Sequence, residues 1–109
     1  MPDTLKVLGQ SNPAAATLTD IYTVPGATST MISSITITNR SATATSFRLS
    51  VAIAGAADAN QQYIAYDIPI NGNSMVTMTL GISLAATDVF RVYATLATIS
   101  FNLFGIEIT

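Results

Sequence analysis

From Ser34 to Ile53 the chain alternates with a period of two, and that pattern constrains the fold more than any other feature of the sequence. Ile35 and Ile37 alternate with Thr36 and Thr38. After a short polar link, Phe47, Leu49, Val51 and Ile53 alternate with Arg48, Ser50 and Ala52. Successive side chains of a strand point to opposite faces, so one row enters a core and the other lies on the far side of a sheet. That second row is threonine, serine and alanine with a single arginine, an unusual surface to present to water.

The same alternation recurs along the chain, and helical spacing of apolar residues is almost absent. Candidate strands fall at about 4–8, 18–24, 30–39, 45–54, 62–68, 74–82, 88–96 and 98–108. The stretch Gly55–Tyr63 has room for one helical turn at most. About eight short strands without helices predict an all-β, single-domain antiparallel β-sandwich over residues 1–109, with a jelly roll as its specific form. Residues 1–17 are expected as an N-terminal arm in addition to the short strand candidate within them, and a small closed barrel is the runner-up architecture. Pro25-Gly26 suits the two central positions of a type II turn. Asn71-Gly72 suits a tight hairpin, which predicts antiparallel pairing of the strands on either side. The last strand is inconsistent: Ile99, Phe101 and Leu103 share one parity, Phe104, Ile106 and Ile108 the other. Either a bulge near 103–105 switches faces, or both faces are covered.

Only 9% of residues are charged, against about 25% in ordinary soluble proteins. Lys6, Arg40, Arg48 and Arg91 are scattered and the net charge is −2, which argues against phosphate-backbone binding and so against direct contact with nucleic acid. No apolar run approaches the ~20 residues of a membrane-spanning helix. The opening residues, MPDTLKVLGQ, lack the basic start and long apolar middle of a signal peptide. Cysteine and histidine are both absent, which removes thiolate metal sites, the commonest general base and any Ser-His-Asp arrangement. No catalytic residue, metal site or cofactor is therefore expected.

Asp67, between tyrosines and isoleucines, is the most interesting acid. It reads either as a carboxylate with a raised pKa, with Glu107 as its partner in a glycosidase-like couple, or as a strand-end residue paired with an arginine; the second reading is preferred. Asp3, Asp20, Asp58 and Asp88 lack the dense spacing of a calcium loop. Tyr22, Tyr63, Tyr66 and Tyr93 could form a sugar-stacking platform, but tyrosine is also enriched at protein interfaces, and the interface reading is favoured. Arg48 and Arg91 are expected to face outward and pair with acids.

Taken in order, Tyr22-Thr23-Val24-Pro25, Asn39-Arg40, Phe47-Arg48, Tyr63-Ile64-Ala65-Tyr66-Asp67, Leu80-Gly81-Ile82, Val92-Tyr93-Ala94 and Phe104-Gly105-Ile106-Glu107-Ile108 resemble a family of small tailed-phage virion proteins found in cyanophages and other aquatic phages. The resemblance spans residues 18–109 and transfers no catalytic residue. It implies a structural protein of the virion. The expected role is a capsid cement, or decoration, protein bound outside the shell, with itself (a trimer) and the major capsid protein as partners. A small tail or baseplate subunit is the alternative within the virion, and a glycan-binding host-adhesion module the alternative outside it. Arg48, Arg91, Tyr63, Tyr66 and Tyr93 are the expected interface residues.

Overall fold

The structure, a computed structural model, describes residues 3–109 apart from the side chain of Leu80. Eight strands make up the fold: β1 (Asp3–Ser11), β2 (Thr19–Thr23), β3 (Ser29–Asn39), β4 (Thr45–Ala52), β5 (Tyr63–Ile70), β6 (Met75–Leu84), β7 (Val89–Ala94) and β8 (Ile99–Ile108). Two single 3-10 turns, Ile53–Gly55 and Asn60–Gln62, lie in the link between β4 and β5. One sheet has the order β1-β8-β3-β6 and the other β2-β7-β4-β5, with every pair antiparallel. The nested pairs 1–8, 2–7, 3–6 and 4–5 are those of an eight-stranded jelly roll.

The core is the row that alternation selects. Ile32, Ile35, Ile37, Phe101 and Leu103 of the first sheet meet Phe47, Leu49, Phe90 and Val92 of the second, all fully buried. Phe47 and Phe101 touch edge to face across the sandwich, with ring centroids 6.2 Å apart, a geometry aromatic rings prefer.

Four local expectations are corrected. Asp3–Ser11 is an edge strand paired with β8, so this part of the expected N-terminal arm belongs to the sheet. Asn71-Gly72 does not close a hairpin: β5 pairs with β4 and β6 with β3, so this turn carries the chain between sheets. The left-handed residue there is Asn73, at φ 51°. Gly72 is needed for closeness instead, because a Cβ would sit 2.1 Å from the Ala42 carbonyl oxygen. The turn after β2 is displaced by one residue, with Ala27 and not Gly26 in the left-handed region at φ 56°. Finally, β8 itself carries no bulge. The extra residues lie opposite it, Leu8 in β1 and Ser33 in β3. Ile99, Phe101 and Leu103 accordingly face the core, while Phe104 and Ile106 are half-buried on the outer side.

At one end of the sandwich a polar network ties the sheets together. The Tyr22 hydroxyl donates to Glu107 Oε2 at 2.6 Å and lies 2.7 Å from Thr30 Oγ1; Glu107 Oε1 accepts from Lys6 Nζ at 3.2 Å. Burial, then the bond to Glu107, pushes the Tyr22 phenol up to about 12. The same hydrogen bond holds the Glu107 carboxyl below its ordinary value, with Lys6 adding to it. The unfolded phenol titrates near ~10. A folded pKa above the unfolded one means stabilisation is complete below about pH 10 and is lost as pH rises through about 12. For Glu107 the sign is opposite: its contribution is present above the ordinary carboxylate range and is lost as pH falls through its lowered value. Thermal melts should therefore show a plateau across neutral pH and a fall above pH ~10. Tyr22→Phe should cost about 1–3 kcal/mol at pH 7, because it strips a partner from two poorly exposed oxygens, and should blunt the alkaline fall. An unchanged alkaline limb would refute this role for Tyr22.

Candidate functional site

The outer face of the β2-β7-β4-β5 sheet gathers most of the residues singled out from the sequence. Arg48 on β4 is directly opposite Tyr93 on β7. Its guanidinium carbon lies 4.5 Å from the centre of the Tyr93 ring and 4.1 Å from that of Tyr66. Its Nε donates to Asp67 Oδ1 at 2.7 Å and its Nη2 to Oδ2 at 3.4 Å. Tyr63 stands perpendicular to Tyr66 at 5.1 Å and donates its hydroxyl to Asp58 Oδ2 at 3.1 Å. Partial burial, then that bond, raises the Tyr63 pKa. The Asp67 hydrogen bond likewise raises that of Arg48, a group that is charged at any working pH in either case.

Irregularity in β5 builds this cluster. Register shifts against β4 occur between Phe47 and Leu49 and again between Leu49 and Ser50, with the extra residues on β5. Ala65, Ile68 and Ile70 keep their contact with the core, while Tyr66 and Asp67 are both exposed. Asp67 takes φ 52°, a left-handed conformation that aspartate tolerates better than most residues. The bulge brings two adjacent side chains to the same guanidinium, which an unbroken strand would place on opposite faces.

Arg91 lies on the same face but does a different job. Its Nε donates to Asp20 Oδ1 at 2.9 Å, and its Nη1 and Nη2 reach the carbonyls of Ala56 at 2.9 Å and Gly55 at 3.4 Å. Its side chain is only 13% exposed. Arg91 thus clamps the β4–β5 link over the sheet. Ser50, opposite both Arg91 and Tyr63, and Ala52, opposite Val89, are fully buried beneath that closure. The uncharged second row of β4 therefore needs no partner chain to cover its far half; the chain's own 53–62 segment does so.

Both arginines pair with acids, as their outward parity predicts, and Asp67 is the arginine partner preferred for it. The carboxylate couple of Asp67 and Glu107 does not form: the two sit on different sheets with separate partners. Tyr22 is buried and leaves the tyrosine platform. Arg48 covers one face each of Tyr66 and Tyr93, which removes ring surface that a sugar would stack on. Asp58 and Asp20, which look isolated in the sequence, are partners of Tyr63 and Arg91; nothing in their neighbours signals this. Asp88 organises the opposite loop, accepting from the backbone N–H groups of Ala54 and Ala85 at 2.9 Å each.

Among the described residues no three acids come together as metal ligands, and no helix is long and apolar enough to cross a membrane. What the arrangement offers is a patch of one arginine, three tyrosines and two exposed carboxylates, Asp67 on the guanidinium and Asp58 on the Tyr63 hydroxyl. No family model matches this chain, and no curated protein matches it.

Proposed function

We propose that the protein is a structural component of a phage virion, an oligomeric cement or decoration protein bound to the outside of the capsid. The observation that carries an interaction role is the Arg48 cluster. Arginine and tyrosine dominate the energetics of protein interfaces when they are held in place before binding. Here Asp67 and two ring faces hold Arg48, so little side-chain freedom remains to be lost on contact. The location on a virion rests on the sequence resemblance, with the major capsid protein and further copies of this chain, in trimers, as the partners. A jelly roll with few charges suits lattice contacts, where lysine and glutamate are depleted.

A tail or baseplate subunit is the second reading, and copy number separates the two. A cement protein saturates the shell, so it should be present in hundreds of copies that scale with the major capsid protein. A tail subunit follows the tail's own symmetry and numbers nearer about a dozen. Mass-corrected densitometry of purified virions on a denaturing gel should give the high number. A band worth only a few copies per particle would move the protein to the tail.

A further inference from the structure

Arg40 is the one basic side chain that the ion pairs leave out. Lys6 pairs with Glu107, Arg48 with Asp67 and Arg91 with Asp20. Among the described residues no acid reaches Arg40. The remaining acids are occupied or distant. Asp58 holds the Tyr63 hydroxyl, Asp88 holds two backbone N–H groups, and Asp3 lies opposite Ile108 at the far end of β8.

Neutral groups hold Arg40 instead, just past the end of β3. Its Nε donates to Ser100 Oγ at 2.9 Å, and its Nη2 to Asn12 Oδ1 at 2.9 Å and to the Ala97 carbonyl at 3.2 Å. Asn12 is fixed in turn, donating its Nδ2 to the carbonyls of Ala97 and Ile99. Nη1 keeps two N–H donors that no described group accepts. Asn12 and Ser100 also line an open cleft of about 360 Å³, together with Gln10, Ser11 and Asn102. Phe101 borders it too, but is fully buried and gives it no ring surface. Gln10 Nε2 donates to Asn102 Oδ1 at 2.8 Å, which leaves the Asn102 Nδ2 protons and the Gln10 carbonyl oxygen free. Ser100 Oγ accepts from Arg40, so its own proton is available as well.

We propose that this cleft binds an acidic sugar. Arg40 Nη1 and the Ser100 hydroxyl take its carboxylate, and the Gln10 and Asn102 amides take its hydroxyls. The charge of the ligand follows from the site. One positive charge, in a chain of net charge −2, balances a monoanion, whereas a phosphate monoester at about −1.5 to −2 would stay half uncompensated. The rest of the lining is amide and hydroxyl, groups that both donate and accept as sugar hydroxyls do. An apolar acid would cover those groups without satisfying them. Because Arg40 is already held, little side-chain freedom is lost on binding. The cleft lies on the other sheet from the Arg48 cluster, so the site is independent of the capsid contact proposed above.

Titration of the isotope-labelled chain with sodium galacturonate, followed by NMR, tests this. The side-chain amide signals of Gln10 and Asn102 should shift with a Kd on the order of 1 mM, the scale of a small ligand in an open site. Sodium acetate should bind at least about tenfold more weakly, and glucose should give no shift. Arg40→Gln should weaken galacturonate by about tenfold or more. That change also breaks the bonds to Asn12 and Ala97, so a second variant leaves Arg40 in place. Asn102→Asp keeps an oxygen for Gln10 Nε2, and its added carboxylate should expel galacturonate with the melting curve unchanged. No shift with galacturonate, or undiminished binding by either variant, overturns the site. Acetate binding as tightly as galacturonate overturns the sugar assignment. So does tighter binding of a short aspartate-containing peptide, which would make the cleft a seat for protein carboxylates.

Discussion

Arg48→Glu is expected to abolish binding to the shell while leaving the fold intact. The intramolecular cost is bounded by what Arg48 touches. Its ion pair with Asp67 is partly exposed, at 23% and 48% for the two side chains, and exposed pairs contribute about 0–1 kcal/mol. Each tyrosine contact adds about 0.5–1 kcal/mol at such a site. Glutamate beside Asp67 also repels it, so a loss of about 1–3 kcal/mol in stability is expected, well within the ~5–15 kcal/mol of a folded domain. At an interface the same change does more. Truncating one partner of a buried, hydrogen-bonded charge pair costs about 2–5 kcal/mol, roughly 30- to several-thousand-fold in affinity. Here the replacement also brings two carboxylates together where bound protein excludes water. Binding of the variant to virions stripped of this protein, compared with its melting curve, separates the two effects. Wild-type affinity would show that this face is not the contact surface.

The fold was legible because burial enforces a strict period of two. Every strand candidate corresponds to an observed strand with shifts of a few residues at the ends, since one row must be apolar wherever two sheets meet. The turns were less legible. Asn71-Gly72 encodes a sharp reversal, but whether the next strand joins the same sheet depends on β3 competing for β6, which no dipeptide records. The bulges were misplaced for a related reason. The parity conflict in β8 is visible in its own residues, yet its cause lies in Leu8 and Ser33 on neighbouring strands. At the candidate site, Arg48 and Arg91 were visible as lone charges in apolar strands. Their different roles were not, because these depend on where the 53–62 segment folds back. The convergence of Tyr63, Tyr66 and Tyr93 on Arg48 depends on the bulge at Asp67. In the sequence that bulge shows only as the three-residue spacing from Ala65 to Ile68.

That parity conflict also yields the prediction with the largest effect on stability. Phe101 and Phe104 are three residues apart in one strand, and the structure places them on opposite faces: Phe101 is fully buried against Phe47, Phe104 half-buried outside. Phe101→Ala removes a ring that joins the two sheets and leaves a cavity that the neighbouring strands cannot collapse to fill. A cost of about 3–5 kcal/mol is expected, which lowers the melting temperature by on the order of 20 °C in a domain of this size. Phe104→Ala leaves no enclosed cavity, since its outer side is open. Only the contact with its strand neighbours is lost, and about 1 kcal/mol is expected for partial removal of apolar area from water. Circular dichroism melts of the two variants at low concentration, where self-association does not contribute, test the difference directly. Equal losses would mean that both faces of β8 are enclosed within a single chain, and the outer face of that sheet would then not be free for a partner. A large loss for Phe104→Ala that appears only at high concentration would instead place Phe104 in a contact between copies, beside Val7 on the same row.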